Sequence, residues 1–551
     1  MKAWNTLQVN RAARLERAGA MLGHGLQGKV VDAARIDDLL HTVLECGDRV
    51  CLEGNNQKQA DFLAQALAGL DPARIHGLHM LQSVLALPEH LDVFERGVAA
   101  NLDFSFSGPQ AGRVAKLVST GQLHIGAIHT YLELFGRYMM DLPPRVCLVA
   151  AESADRHGNL YTGPNTEDTP AIVEATAFKN GIVIVQVNQI VDTLPRVDIP
   201  GDWVDFVVQS PQPYYIEPLF TRDPAQISDI QVLMAMMAIK GIYAEYQVER
   251  LNHGIGFDTA AIELLLPTYA MDLGLKGKIA RHWALNPHPA LIPAIEAGFA
   301  ESVYSFGSEL GMEDYIRARP DVFSVGPDGS MRSNRAMCQA AGHYACDMFI
   351  GSTLQIDLQG NSSTATLGRI AGFGGAPNMG ADARGRRHAS PAWLKAGLEA
   401  RAGIDTIPRG QKLVVQIVET FREHMQPAFV DRLDAWELAS QAGFDIPPVM
   451  IYGDDVTHIL TEEGIANLLL CRSPQEREQA IRGVAGYTPV GLARDKAMVE
   501  ALRARGVIRR AEDLGIDKRL ATRDLLAAKN MKDLVRASGG LYAPPKRFRN
   551  W

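Results

Sequence analysis

The sequence predicts an α/β fold of two duplicated domains with mostly parallel sheets, and two observations lead to that prediction. Apolar, β-branched segments such as 181–188, 412–418 and 449–452 alternate with helical segments. Continuous apolar runs of this kind are typical of strands that are buried on both faces of a parallel sheet. The same order of motifs also occurs twice along the chain. We therefore expect two related α/β domains.

The repeated motif is a strand that runs into a polar, glycine-containing loop and then into a helix. It occurs at Gly47–Gln57 and again at Tyr246–Phe257. Each half later has a strand followed by the turn Asp-x-x-Gly-Asn, at 155–159 and at 357–361. The loop glycine and the turn asparagine are 105 residues apart in the first half and 107 in the second. Chance similarity between two unrelated α/β domains is the alternative, because this turn chemistry is common.

Length and composition agree with an ordinary globular protein of more than one domain. The chain has 551 residues, too many for a single core, with 47% hydrophobic and 21% charged residues. We predict domains at 1–225 and 226–551, the second with a helical C-terminal extension. The net charge of -8 argues against nucleic-acid binding, and no apolar stretch is long enough to predict a membrane span.

Cysteine spacing and the standard catalytic motifs exclude several classes of protein. The six cysteines are scattered without CxxC spacing, which predicts reduced thiols in the cores of a cytoplasmic protein. There is no HExxH motif, paired CxxC or acidic calcium loop, so no metal is expected. GxSxG and GxxxxGKS/T motifs are absent, and Gly-Ile-Gly at 254–256 lacks the third glycine of a dinucleotide fingerprint.

The glycine-rich loop Gly372–Asn378 is the first candidate for a binding element. It follows a strand and a polar turn, and a basic cluster comes after it. Glycines permit positive φ and close approach of a ligand to backbone N–H groups, which can form a nest for anions. The alternative is a tight surface connection. The candidate cofactor-binding residues are Gly372, Gly374, Gly375, Ala376, Asn378, Arg384, Arg386 and Arg387.

The second half of the chain resembles the family I coenzyme A transferases. The family's loop NLGIGIPT is matched by Asn252–Thr259, and its segment beginning GGHIDV by Gly342–Tyr344 with 347–356. Gly360 and Asn361 follow, and the glycine loop matches the family's GxGGAxD. The first half resembles the other half of the family more loosely. The resemblance implies two coenzyme A transferase-like domains.

One segment departs from the coenzyme A transferase pattern. In that family the glutamate of an SENG loop attacks the thioester, but the corresponding segment here, Lys278–Pro287, contains no carboxylate. With this departure, the whole chain looks most like the α subunits of malonate decarboxylases, whose function resembles that of citrate lyase α subunits. The usual covalent nucleophile is therefore expected to be missing.

This resemblance implies an acyl-carrier-protein (ACP) transferase that converts acetyl-S-ACP and malonate into malonyl-S-ACP and acetate. It implies that the thiol belongs to a phosphoribosyl-dephospho-CoA group on a small acyl-carrier subunit, and that decarboxylase subunits are further partners. Free CoA or acetyl-CoA is a further expected ligand. The residues alone do not distinguish malonate from citrate or acetate.

The chemistry of this transfer requires no protein nucleophile. A carboxylate of malonate can attack the acetyl thioester, and the released thiolate can then open the mixed anhydride. The site must hold the two reactants together and supply hydrogen-bond donors for two successive oxyanions. The predicted catalytic residues are Asn55, Asn56, Gly254, Gly256 and Asn286. For each asparagine, the alternative is a loop residue that tolerates left-handed geometry.

Two other functions stay open. A transferase or hydrolase acting on free acyl-CoA would use a glutamate as the nucleophile, and a noncatalytic scaffold would only hold a carrier subunit. His253 and His282 are weaker candidates for holding a malonate carboxylate. The candidate nucleophiles are Glu53, Glu263, Glu309 and Glu313.

Overall fold

The computed structural model describes residues 6–55, 58–305, 307–327, 329–331, 347–379, 412–549 and 551. Several predicted residues lie outside these ranges and receive no structural account. They are Asn56, the matched segment Gly342–Tyr344, the predicted core cysteines Cys338 and Cys346, and the basic residues Arg384, Arg386 and Arg387.

The first half folds into a mostly parallel sheet with strand order β1-β2-β10-β9-β7-β3-β4-β5-β6. The two short strands β1 and β8 pair antiparallel, with β2 and β7 respectively, and the other pairs are parallel. The strands are Leu26–Gln27 (β1), Val30–Val31 (β2), Arg49–Leu52 (β3), Leu78–Val84 (β4), Ala99–Phe106 (β5), His124–Ile128 (β6), Val146–Ala154 (β7), Leu160–Tyr161 (β8), Ile182–Ile190 (β9) and Phe206–Gln209 (β10).

Helices connect these strands and cover the sheet. Thr130 begins one of them with a capping box, in which its hydroxyl accepts from the Glu133 N–H and the Glu133 carboxylate accepts from the Thr130 N–H. The helices of the first half are Thr6–Leu22, Ile36–Val43, Asp61–Ala68, Glu89–Glu95, Ala111–Ser119, Tyr131–Met140 and Thr169–Ala177.

The second half contains a sheet with strand order β13-β12-β11-β14-β19-β22-β23-β24, parallel from β13 to β22 and antiparallel beyond. The remaining strands form short hairpins. The strands are Arg250–His253 (β11), His282–Leu285 (β12), Ser302–Ser305 (β13), Met348–Ser352 (β14), Gln355–Ile356 (β15), Ser362–Ser363 (β16), Ala365–Thr366 (β17), Arg369–Ile370 (β18), Leu413–Ile417 (β19), Phe421–Arg422 (β20), Gln426–Pro427 (β21), His458–Thr461 (β22), Gly464–Asn467 (β23) and Ile508–Arg509 (β24).

The helices of the second half pack against both faces of this sheet and continue to the C-terminus. Ser228 and Gln231 form a second capping box at the start of the first of them. The helices are Asp229–Ala238, Ala244–Tyr246, Phe257–Leu265, Ile292–Glu296, Glu313–Arg317, Ala376–Met379, Asp434–Ala442, Pro474–Val484, Pro489–Leu492, Lys496–Ala504 and Met531–Ala537.

The two sheets share one topology, which confirms the predicted α/β fold and its duplication. In the first sheet β9-β7-β3-β4-β5 are neighbours, and in the second β19-β14-β11-β12-β13 follow the same order of connections. The two Asp-x-x-Gly-Asn turns also match. Asp155 Oδ1 accepts from the N–H groups two and four residues on, and Asp357 Oδ1 does the same. The glycines of the two turns, Gly158 and Gly360, have φ of +84° and +83°.

Burial follows the sequence pattern closely in the central strands. The first six residues of β7 and of β9 are all buried, as expected for strands covered on both faces. Cys51 and Cys147 lie in this core, but Cys46 is exposed, so its assignment to the core was wrong. Cys46 follows a helix at the surface, where its thiol contacts His76.

The connection between the halves runs from β10, which ends at Gln209, to the helix that begins at Asp229. The predicted boundary after residue 225 falls inside this connection and stays a prediction. Within the described residues, no helix is both long and apolar enough to cross a bilayer.

Candidate functional site

A cavity of about 530 Å³ lies between the two halves of the chain. The first half contributes the end of β5, and the connection between the halves contributes residues 217–222. The second half contributes the loops that follow β11, β12 and β14, together with the glycine loop. The carboxyl ends of parallel strands are where α/β proteins bind their ligands, so this cavity is the candidate active site.

Six of the thirteen predicted site residues line this cavity. They are Gly254, Asn286, Gly372, Gly374, Gly375 and Ala376. Gly256 and Asn378 are close in sequence to lining residues but do not line the cavity themselves.

Asn55 does not line this cavity, and its predicted catalytic role there was wrong. Its side chain is fully buried, with Nδ2 donating to Glu53 and Oδ1 accepting from the Lys58 N–H at 2.8 Å. Asn55 therefore serves the local loop, which is the alternative that its position in the sequence left open.

The loop after β11 offers backbone donors, although not from its first glycine. The Gly254 N–H donates to the Ile350 carbonyl at 2.7 Å, which makes it unavailable to a substrate. The N–H groups of Ile255 and Gly256 have no acceptor within the described part of the chain. They precede the helix Phe257–Leu265, whose N-terminal dipole favours negative charge. Of the predicted backbone donors from Gly254 to Gly256, only that of Gly254 is therefore occupied by an acceptor in the described part of the chain.

A buried network holds the Asn286 loop, and it includes His253, a weaker candidate that does line the cavity. Glu263 accepts from His253 Nδ1 at 2.8 Å and from His288 Nε2 at 2.7 Å. His288 Nδ1 donates to the Asn286 carbonyl at 2.9 Å, and the Tyr243 hydroxyl donates to His253 Nε2 at 2.6 Å. These bonds require both nitrogens of His288 to carry protons, whereas His253 is neutral.

Electrostatics agree with that assignment of protons. Although burial acts against it, the Glu263 carboxylate holds the pKa of His288 above its ordinary value. Burial lowers the pKa of His253. Burial also opposes the charge on Glu263, but the two histidines hold the pKa of this carboxyl at about 2. Glu263 is therefore an ionised group with both oxygens occupied, and it positions the wall of the cavity.

The other three candidate glutamates also stay away from the cavity surface. Glu53 is fully buried and accepts from the Thr169 hydroxyl at 2.6 Å, and burial raises its pKa. Glu309 is fully buried behind the connection, and burial raises its pKa to about 8. Glu313 lines a different cavity, of about 280 Å³. His282, a weaker candidate, lies at the start of β12 and does not line the 530 Å³ cavity.

Glu217 is the one carboxylate among the described residues that line the candidate active site. It forms an ion pair with Arg547 and accepts a hydrogen bond from the Tyr215 hydroxyl at 2.8 Å. In the same described ranges, no group of three or more His, Cys, Asp or Glu is placed to hold a metal ion.

The glycine loop joins the two halves of the chain. The N–H groups of Phe373 and Gly374 donate to the Ser105 carbonyl at 2.6 and 2.9 Å, and the Ser107 N–H donates to Ala371 at 2.9 Å. These two loop donors are consequently not free, so the predicted anion nest is wrong for them. Gly372 has φ of +77°, and a Cβ there would lie 2.4 Å from the Ser105 carbonyl oxygen. Glycine is required here by the contact between the halves.

Arg222 is a cavity residue that the sequence gave no reason to select. The residue is half-buried, and its guanidinium lies over the Phe257 ring, 5.6 Å from the ring centroid. Its Nη1 donates to the Leu219 and Thr221 carbonyls at 2.8 and 3.1 Å. A lone arginine in a connecting segment carries no motif, so only the fold could bring it to the site.

Two duplicated, mostly parallel sheets with a cavity between them define the coenzyme A transferase type of fold. A structure of the putative citrate lyase α subunit from Streptococcus mutans has this fold, with a TM-score of 0.57 and 15% identity over 94% of this chain and 86% of that one. The chain belongs to the malonate decarboxylase α subunit family, whose model, described as "Malonate decarboxylase, alpha subunit, transporter", matches residues 3–551.

Two relatives are similar to the chain over its whole length. An acetyl-S-ACP:malonate ACP transferase of Malonomonas rubra is 61% identical, covering 100% of this chain and 99% of the relative. A chain in the crystal structure of a Pseudomonas malonate decarboxylase hetero-tetramer in complex with malonate is 60% identical, with a TM-score of 0.92. That match covers 100% of this chain and 99% of the other.

Proposed function

We propose that this chain is an acetyl-S-ACP:malonate ACP transferase that works without a covalent protein intermediate. The observation that carries the proposal is the lining of the cavity between the halves. Its one carboxylate among the described residues, Glu217, is held in an ion pair with Arg547. The full-length similarity to a relative with that name supports the choice of substrates.

The carboxylate of malonate takes the part that a glutamate plays in coenzyme A transferases. One of its oxygens attacks the acetyl carbonyl, the C–S bond breaks, and the thiolate leaves an acetyl-malonyl anhydride. The thiolate then attacks the malonyl carbonyl, and acetate leaves with the bridging oxygen. Atoms and charges balance, and no group on the protein forms a bond.

The protein supplies position and electrostatic stabilisation for these two steps. In this proposal the N–H groups of Ile255 and Gly256, which have no acceptor among the described residues, stabilise one oxyanion, and the side-chain amide of Asn286, a lining residue, stabilises another. The Glu263–His288 pair fixes the Asn286 backbone through the carbonyl. Removing a single donor of this kind costs about 10²–10³-fold in kcat in well-studied hydrolases.

The space beside the cavity fits a long thiol-bearing arm. A neighbouring cavity of about 1050 Å³ shares Ser352, Thr353, Leu354 and Arg369 with the candidate active site. Arg422 lines that second cavity, and its buried Nε has no acceptor in the described ranges. A phosphate-bearing group suits a cavity of this volume with an unpaired guanidinium donor in its wall.

We infer that the arm is a phosphoribosyl-dephospho-CoA group on a small acyl-carrier subunit, and that decarboxylase subunits act on the malonyl product. In this proposal the glycine loop contacts the arm, with Gly374, Gly375 and Ala376 at the cavity surface. The predicted contacts of Arg384, Arg386 and Arg387 with phosphates or an acidic carrier surface remain predictions.

The test is transfer by the purified chain alone. Acetyl-CoA or an acetylated carrier is incubated with labelled malonate, and labelled malonyl thioester is measured. The proposal expects malonyl thioester and an equal amount of acetate, whereas a noncatalytic scaffold forms neither. Asn286→Ala is expected to lower kcat by about 10²-fold. Glu313→Gln, in the separate cavity, is the matched control that leaves kcat unchanged.

A further inference from the structure

We propose that Arg222 determines the specificity for malonate by binding the carboxylate that does not react. This inference rests on the proposed function, since it assigns the second charge of the acid substrate to a residue of the same cavity. It names a residue that neither the motifs nor the resemblance to a family selected.

The first argument compares the arginines of the cavity. Among the described residues, Arg222, Arg369 and Arg547 line it. Arg547 is paired with Glu217, and the Arg369 side chain is 49% exposed and so is surrounded by water. Arg222 is half-buried and has no carboxylate within ion-pair distance in the described part of the chain. A partly desolvated cation without a counter-ion is costly, and a bound anion relieves that cost.

The second argument is the geometry of the guanidinium. Its Nη1 is tied to two carbonyls of its own connection, and its plane lies over the Phe257 ring. Nε and Nη2 have no acceptor among the described residues. These two nitrogens form the edge that receives a carboxylate with two parallel hydrogen bonds. The side chain is thus held in place with one bidentate edge unused.

The third argument is the position of Arg222 beside the proposed reaction centre. Phe257, on which it lies, directly follows the donors Ile255 and Gly256. The two carboxylates of malonate are separated by one methylene group, so a substrate that reacts at these donors has its second charge close by. Acetate has no second charge and makes no use of the arginine.

The buried acid behind the connection does not neutralise this arginine at neutral pH. Glu309 accepts from the Phe220 N–H at 3.3 Å and from the Thr221 hydroxyl at 3.2 Å. Since burial raises its pKa to about 8, Glu309 is mostly protonated near pH 7. Near pH 7 Glu309 therefore leaves the charge of Arg222 without a counter-ion, and burial, which lowers the pKa of Arg222, makes a bound anion favourable.

The test compares malonate with acetate in the same enzyme. Transfer from acetyl-CoA to malonate, and exchange of labelled acetate into acetyl-CoA, are measured for the wild-type chain and for Arg222→Gln. Glutamine retains a donor for the Leu219 carbonyl but lacks the charge and the bidentate edge. We expect kcat/KM for malonate to fall about 100-fold, as for loss of a charge-assisted pair, and acetate exchange to change less than about threefold.

The matched control is Arg547→Gln, which removes a cation of the same cavity that already has a partner. It is expected to change both reactions by the same factor. Arg222→Lys keeps the charge without the planar fork, and we expect about a tenfold loss for malonate alone. If Arg222→Gln does not fold, as judged from its unfolding midpoint, Arg222→Lys decides the question.

The outcomes separate the two proposals. Equal losses for malonate and acetate in the folded Arg222 variants overturn the specificity role and leave the transferase intact. A wild-type chain that exchanges acetate but does not use malonate overturns both the specificity role and the choice of substrate. A wild-type chain that catalyses neither reaction refutes the transferase itself.

Discussion

Replacing Gly372 with alanine tests the junction between the glycine loop and the first half. An L-residue at its φ of +77° costs about 1–2 kcal/mol. The new Cβ would lie 2.4 Å from the Ser105 carbonyl oxygen and 3.0 Å from Phe104, so the loop must move away. The bonds that Phe373 and Gly374 donate to Ser105 would then weaken, at about 1 kcal/mol each. We expect a loss of about 3–4 kcal/mol in the free energy of unfolding.

Two glycines nearby give a graded control for this variant. Gly374→Ala shares the positive φ of +57°, but its Cβ meets only the Tyr131 ring at an ordinary 3.5 Å, so about 1–2 kcal/mol is expected. Gly368→Ala has open space around its Cβ, and a change within about 0.5 kcal/mol is expected. Urea unfolding measures the three variants, and KM for the acetyl thioester reports on the cavity. Equal effects at Gly372 and Gly368 would refute the contact.

Three further substitutions test the buried and lining carboxylates. Glu309→Gln removes a carboxyl group whose pKa burial raises to about 8 in the folded state. Since the carboxyl of the unfolded chain ionises near 4.5, the wild-type protein loses stability as the pH rises from about 4.5 to about 8. The free energy of unfolding is measured for the variant and the wild type at pH 6 and at pH 9. Between these two pH values the variant should gain about 3 kcal/mol relative to the wild type, and a difference that does not change with pH would contradict the assignment. Glu263→Gln leaves the buried His288 without its counter-ion, so urea unfolding should show a destabilisation of about 3–5 kcal/mol. The control is Glu313→Gln, at a half-buried residue, for which less than about 1 kcal/mol is expected. Glu217→Gln should keep kcat within about threefold of wild type, and a loss beyond about 10³-fold would identify Glu217 as a nucleophile.

Much of the fold could be predicted from local patterns in the sequence. Continuous apolar runs encode burial on both faces, and the Asp-x-x-Gly-Asn turns encode a specific set of hydrogen bonds, so the two sheets and their duplication were predictable. Asn286 and Gly254 were found for the same reason, because they directly follow strands whose carboxyl ends must face a ligand. Information of this kind is contained in a few neighbouring residues.

The rest of the site depends on contacts between distant segments. Arg222 reaches the cavity because Phe220 and Thr221 bond to Glu309, almost ninety positions further along the chain, and no local pattern encodes that pairing. The donors of the glycine loop were misjudged because Ser105, in the other half, accepts them. Asn55 was misplaced because the duplicated loop in the first half closes on its own Glu53 and Lys58.

The most direct test of transfer without a protein nucleophile is to follow the malonate oxygens through a single turnover. The chain, in excess over an acetyl thioester, is mixed with malonate labelled with ¹⁸O in its carboxylates, and the released acetate is analysed by mass spectrometry. Direct attack by malonate places one ¹⁸O in the first acetate released, because the bridging oxygen of the anhydride leaves with the acetyl group. Unlabelled acetate in that first turnover, with ¹⁸O appearing on a protein carboxylate, would contradict the account and establish a glutamyl intermediate.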